Sequence, residues 1–272
     1  MIAVELEHVS RDFTTPDGRG YRALDDISLS ISAGCFTAIV GPSGCGKSTL
    51  LNLAAGLLAP SSGSVRVGGE ALAGLNRRAT YMFQQDALLP WKTVRENVAL
   101  GLTLGGMPQA DACARADGWL MRVGLSAFGA HYPSQLSGGM RKRVVMAQNW
   151  IIDRSIVLMD EPFSALDVHT RQRMETELLE LWEGGPDTVS RKTVVFVTHD
   201  LEEAITLADE VIVLSAGPAA RIVARHTVTL PRPRDLMELR TTPAFVDLYR
   251  AIWAVLREQV LRSQRTVEPG RA

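Results

Sequence analysis

Four short runs of the 272-residue chain, residues 36–40, 156–159, 194–197 and 211–214, are rich in valine and isoleucine and do not alternate with polar residues. Alternation marks a strand with one wet face, whereas unbroken apolar runs of this length suit strands covered on both faces, as in a parallel sheet flanked by helices. Helical spacing lies between them, over residues 48–58 and over 140–152, where Met140, Val144, Ala147 and Ile151 recur on one face. Strands alternating with helices predict a layered α/β core. Residues 2–7 alternate, and 61–69 reads as part of a glycine-punctuated hairpin, so an antiparallel β subdomain is expected near the N-terminus.

The stretch 94–135 has helical composition without a strand-like run, which predicts a helical subdomain, about 94–150 with the helix that follows, inserted between two core strands. From about Thr229 the composition changes. Pro231-Arg232-Pro233-Arg234 reads as a rigid linker, and Phe245, Leu248, Tyr249, Ile252, Trp253, Leu256 and Val260 form an apolar stripe on a C-terminal helix. From Arg221 onward the chain holds ten arginines, no lysine and five acids. That helix either packs on its own domain with a solvated basic face or offers a regulatory or lipid-facing surface.

A formal net charge of -1 supplies no field to attract nucleic acid, so none is expected as a partner. Cys35, Cys45 and Cys113 are odd in number and lack metal-ligand or redox spacing, which fits a reducing compartment better than a disulfide scaffold. The first residues lack the basic start and apolar run of a signal peptide, and no segment approaches the roughly 18 apolar residues of a membrane helix. A cytoplasmic location is the expectation, and if the protein serves a membrane it does so from one side.

Three chemical groups follow three of the buried runs. After 36–40 comes Gly41-Pro42-Ser43-Gly44-Cys45-Gly46-Lys47-Ser48, a full phosphate-loop pattern followed by a helix. Its glycines let successive N–H groups face a phosphate, and the helix adds the positive end of its dipole. Lys47 is expected at the β and γ phosphates of ATP and the Ser48 hydroxyl on Mg2+. The run at 156–159 ends in Asp160-Glu161: Asp160 suits magnesium held through water, and Glu161 suits polarising the water that attacks the γ phosphate. The third ends in Thr198-His199-Asp200. A histidine after a strand is by itself more often structural, but convergence on one sheet edge with the other two groups points His199 at the γ phosphate and the attacking water.

A second anion device, Leu136-Ser137-Gly138-Gly139, precedes the helix at Met140, and one nucleotide rarely needs two such nests from one protomer. Cys45 lies near a helix N-terminus, where a thiol is either activated by a lowered pKa or serves only as a small filler.

Taken in order, these residues resemble the ABC transporter ATPase family over about residues 2–230, leaving 231–272 as linker and amphipathic helix. The resemblance implies a P-loop NTPase (RecA-like) core with the N-terminal antiparallel β subdomain and an inserted helical signature subdomain. Gly41 to Thr49 is similar to the Walker A loop, Gln84 to the Q-loop glutamine and further magnesium ligand, and Leu136 to Met140 to the signature. Residues 156–160 look like Walker B with Glu161 as catalytic base, Ser164 to Asp167 like the D-loop, and His199 like the switch histidine. Phe13 is similar to the aromatic residue that stacks on adenine, or is a core phenylalanine.

The family works as a head-to-tail dimer, which explains the spare nest: each ATP would lie between Walker A and B of one copy and Ser137, Gly138 and Gly139 of the second. Transmembrane permease subunits, and indirectly an extracytoplasmic solute-binding protein, are the other implied partners. The apolar run Ala87-Leu88-Leu89-Pro90-Trp91 is either a groove for a permease helix or buried in its own domain.

Segments 83–91, 136–141 and 229–235 look like the nitrate, sulfonate and taurine import ATPases, although Lys142 stands where glutamine is common and Ala147-Gln148-Asn149-Trp150 departs from the usual segment. Two other classes compete: a non-transport ABC ATPase moving a soluble partner, which usually has paired cassettes or a long coiled-coil insertion, and a P-loop kinase, which leaves the signature unexplained.

Overall fold

The computed structural model describes residues 1–15, 18–184 and 191–267. In chain order the elements are β1 (Ile2–Thr14), β2 (Gly20–Ser32), β3 (Phe36–Val40), α1 (Lys47–Ala55), β4 (Ser62–Val67), β5 (Glu70–Ala71), β6 (Ala79–Met82), α2 (Val94–Leu104) and α3 (Gln109–Arg122). They continue with α4 (Gly138–Trp150), β7 (Ile156–Asp160), α5 (Val168–Glu183), β8 (Thr193–Val197), α6 (Leu201–Leu207), β9 (Glu210–Leu214), β10 (Ile222–Thr227), α7 (Leu236–Leu239) and α8 (Pro243–Val267). The chain divides into two compact units, one of Met1–Arg78 with Lys192–Ala272 and one of Ala79–Arg191.

The first unit contains two sheets. An antiparallel sheet orders its strands β2-β1-β4-β5. Its inward residues, among them Val4, Leu6, Val65 and Val67, alternate with polar neighbours as a one-sided sheet requires. The other sheet places β3 between β8 and β9, parallel to both, with β10 antiparallel on the far edge of β9. Every residue of β3 and β8 is buried, the reason these runs lack alternation. β10, with its half-exposed alternating pattern, is an edge strand that the apolar-run criterion does not reach.

The C-terminal helix α8 packs on α6, β9 and β10 of its own unit. Phe245, Ile252 and Leu256 bury the seam. Trp253, placed in the stripe by helical spacing, is 41% exposed. The segment before it is no spacer. Arg232 donates through Nε to Asp209 Oδ1 at 3.0 Å and through Nη2 to the Leu207 carbonyl at 2.7 Å. Arg234, 8% exposed, donates through Nη1 to the Thr206 and Ala208 carbonyls at 2.8 Å each. The C-terminal end of α6 has orphan carbonyls and a partial negative charge, so a guanidinium there satisfies both. Arg234→Ala strands these buried acceptors and should cost about 2–4 kcal/mol. It will lower the midpoint of thermal melting; an unchanged midpoint would show that the strap is not pinned there.

In the second unit β6 and β7 pair in parallel register, Tyr81 opposite Leu158. Helices α2, α3 and α4 share a core of Val98, Ala116, Leu120, Val144 and Ala147 among others. α2 opens with a capping box between Thr93 and Glu96. α4 and α5 are capped by the side chains of Ser137 and Asp167.

Candidate functional site

In the first unit β3 ends at Val40 and the phosphate loop follows at once. A side chain at Gly41 would place its Cβ 2.7 Å from Cys45 Sγ, and Gly46 has φ 95° with a would-be Cβ 2.8 Å from Leu24 Cδ2. The loop therefore closes only with glycine at both positions. α1 begins at Lys47, one residue earlier than the periodicity predicts, so Ser48 and Thr49 lie in its first turn. Lys47 is 6% exposed, and its Nζ donates to the Gly41 carbonyl at 2.9 Å and the Pro42 carbonyl at 3.1 Å. The cation is thus held inside the loop, at a helix N-terminus where an anion is favoured. The cradle fits a triphosphate in shape and charge.

Of the two readings of Cys45, its surroundings favour the small filler. The side chain is fully buried, and burial pushes its thiol upward against the weaker opposing pull of the Lys47 charge. It is a neutral packing group behind Gly41.

His199 follows β8 and is exposed. Its loop is held by Thr198 Oγ1, which donates to Glu203 Oε2 at 2.6 Å, and by Asp200, whose Oδ1 accepts from the Glu202 N–H at 2.8 Å and caps α6. A cavity of about 830 Å³ is lined by Gly41, Pro42, Ser43 and His199 together with Trp253 and Leu256 of α8. The structure thus brings the histidine to the phosphate loop. The part taken by α8 has no local signature, because an amphipathic stripe does not specify what lies beside it.

Phe13 is half-buried near the end of β1, paired with Tyr21 of β2, and the Arg11 guanidinium lies 4.6 Å over its ring. It is not a core residue.

The second unit holds the other groups. β7 ends at Asp160, and the Tyr81 hydroxyl donates to Asp160 Oδ2 at 3.4 Å. Burial and the adjacent Asp160 carboxylate push the Tyr81 phenol well above its ordinary value, so it remains a donor. β6, only four residues long, offers no period from which to pick out Tyr81. Glu161 takes φ 44°, a left-handed conformation that costs a non-glycine residue about 1–3 kcal/mol. Its carbonyl accepts from Ser164 N at 3.3 Å and Ser164 Oγ at 3.0 Å.

Gln84 is exposed in the loop after β6, and its Nε2 donates to Ser164 Oγ at 3.4 Å. α4 starts at Gly138, so Gly138 and Gly139 are helical residues rather than a nest ahead of the helix. Ser137 is the N-cap, its Oγ accepting from Met140 N at 3.3 Å. A Cβ at Gly139 would lie 2.7 Å from Thr170 Cγ2, so the close approach of α5 to this helix end requires glycine there.

The ABC transporter family model matches residues 24–164. The chain belongs to the ABC transporter ATP-binding family. As an ABC cassette it binds ATP and is an ATPase, with the family's P-loop α/β fold. It is 47% identical to the taurine import ATP-binding protein TauB of Chromobacterium violaceum, over 96% of this chain and 95% of that protein. It is 40% identical to the nitrate import ATP-binding protein NrtC of Synechococcus elongatus, over 95% of this chain but 39% of that longer protein. A solved dimeric post-hydrolysis state of the ATP-binding cassette MJ0796 bound to ADP and Pi aligns with a TM-score of 0.71 and 32% identity, covering 84% of this chain and all of that one. No helix of this ABC cassette is long and apolar enough to cross a membrane among the described residues.

Proposed function

We propose that this ABC cassette is the ATP-hydrolysing subunit of an importer that energises uptake of a small solute, of the nitrate, sulfonate or taurine kind, through a separate permease. The observation that carries the reading is the Lys47 loop with His199 at its mouth. The cargo class rests on the likeness to nitrate and taurine import proteins.

Gly41 to Thr49 cradle the triphosphate, with Phe13 beside the adenine. Ser48, Gln84 and Asp160 offer a hydroxyl, an amide oxygen and a carboxylate, the hard donors that suit Mg2+, which when bound neutralises charge on the β and γ phosphates. Glu161 accepts the proton of the attacking water, and His199 steadies that water and the γ phosphate. Ser137, Gly138 and Gly139 of a second copy face the same nucleotide, so two ATP molecules close a head-to-tail dimer and product release reopens it. The cassette sits on the inner face of the cell membrane and senses an extracytoplasmic binding protein only through the permease.

A groove of about 460 Å³ in the second unit, lined by Tyr81, Phe83, Ala87, Leu100 and Leu104, suits a permease helix. Leu104 is 80% exposed. Of the apolar run 87–91 only Ala87 lines this groove; Leu88 packs on the helical core and Trp91 is 71% exposed. Leu104→Arg should abolish copurification with the membrane partner while the isolated cassette keeps its melting midpoint and basal turnover. Copurification at the wild-type level would remove the groove as the docking site. The solute carried by the binding protein of the intact complex identifies the cargo; a soluble partner in place of a permease would overturn the importer reading.

A further inference from the structure

Two consecutive cations of α4 reach the Gln84 loop, all within the 79–191 unit. The Lys142 side chain is 4% exposed and its Nζ lies 2.8 Å from Asp86 Oδ1, a charge contact. The same Nζ donates to the Gln84 carbonyl at 2.9 Å. Arg141 Nε donates to Asp86 Oδ2 at 3.2 Å, and its Nη1 donates to the Leu136 carbonyl at 2.8 Å at the start of the signature. From Gln84 the connection continues: Nε2 donates to Ser164 Oγ at 3.4 Å, which donates to the Glu161 carbonyl at 3.0 Å. A polar chain therefore runs unbroken from the signature helix, through main chain and side chain of one residue, to the main chain of Glu161.

Two physical facts give this chain weight. A buried ammonium is costly to desolvate and often contributes little net stability over an apolar side chain of equal volume, so the two partners that Lys142 holds in place are the contribution to test. The left-handed backbone of Glu161 has to be imposed by its surroundings, and two bonds from Ser164 to its carbonyl contribute to that hold.

We propose that Lys142, with Asp86, is a positioning residue for hydrolysis: it locks Gln84 to the signature helix, and through Ser164 holds Glu161 in its working conformation. Movement of the signature helix is thereby transmitted to the catalytic carboxylate within one protomer. The inference rests on Glu161 being the base.

The test uses the full chain. Lys142→Met should lower kcat about tenfold, the scale of one hydrogen bond with a charged partner, and leave KM for ATP within about twofold. Amide hydrogen exchange over residues 83–87 should quicken. Lys142→Gln, whose amide still donates to the Gln84 carbonyl, should recover most of kcat. Ser164→Ala breaks a later link, so the Lys142→Met/Ser164→Ala double variant should be no slower than its worse parent. Additive losses, or wild-type kcat and exchange in Lys142→Met, would overturn the proposal. Should Lys142→Met fail to fold, Asp86→Asn enters the same cycle with Ser164→Ala under the same criterion. Normal turnover in Glu161→Gln removes the base assignment itself; lost turnover there beside normal kcat in Lys142→Met sinks this inference alone.

Discussion

Replacing Glu161 with glutamine should lower ATP turnover by about a hundredfold or more, the usual contribution of a positioned general base. The amide keeps the volume and hydrogen-bonding reach of the carboxylate but cannot accept the proton of the attacking water. Because the backbone at this position is left-handed, with φ 44° held by Ser164, the substitution leaves the local strain as it is. ATP binding should persist, since the phosphate cradle lies in residues 41–49 of the other compact unit. With hydrolysis blocked, Mg2+ and ATP should accumulate a dimer, read as a doubled mass by light scattering on a sizing column. Unimpaired hydrolysis would dismiss Glu161 as base, and a variant that stays monomeric with ATP would dismiss the shared-nucleotide arrangement.

Lys47→Ala should produce the second large effect, on binding rather than chemistry. The ammonium is buried and already aimed into the loop, bonded to the Gly41 and Pro42 carbonyls. Exchange of those acceptors for charged phosphate oxygens strengthens each bond, and only the difference, roughly 1 kcal/mol or more apiece, adds to ATP binding. Losing that margin at both bonds weakens ATP affinity by about thirtyfold or more. The same change leaves two loop carbonyls without their donor, so the empty protein should melt at a lower temperature as well. Equilibrium dialysis with ATP measures the first effect and a thermal melt the second. Wild-type affinity would mean that the triphosphate does not occupy this loop.

The buried parallel strands were legible because coverage on both faces demands continuous apolar runs, and β3, β7, β8 and β9 each carry one. The phosphate loop was legible because glycine is required at fixed offsets where the backbone crowds Cys45 and Leu24. β6 and β10 were not: one is too short for a period and the other is an edge with a solvated face. Helix starts were displaced by one or two residues: α1 opens at Lys47, directly after the glycine of the loop, and α4 takes in the signature glycines despite their weak helix propensity.

The sequence by itself determined the order of phosphate loop, Gln84, signature, acidic pair and histidine, and with it the ABC family, because each depends on residues adjacent in the chain. Only the tertiary structure decided that Cys45 is buried behind Gly41, that Arg234 caps α6, that α8 walls the cavity of the phosphate loop and that Lys142 grips the Gln84 loop. A pKa, a buried charge's partner and a cavity wall are set by where distant segments return in space, and no local period or motif carries that information.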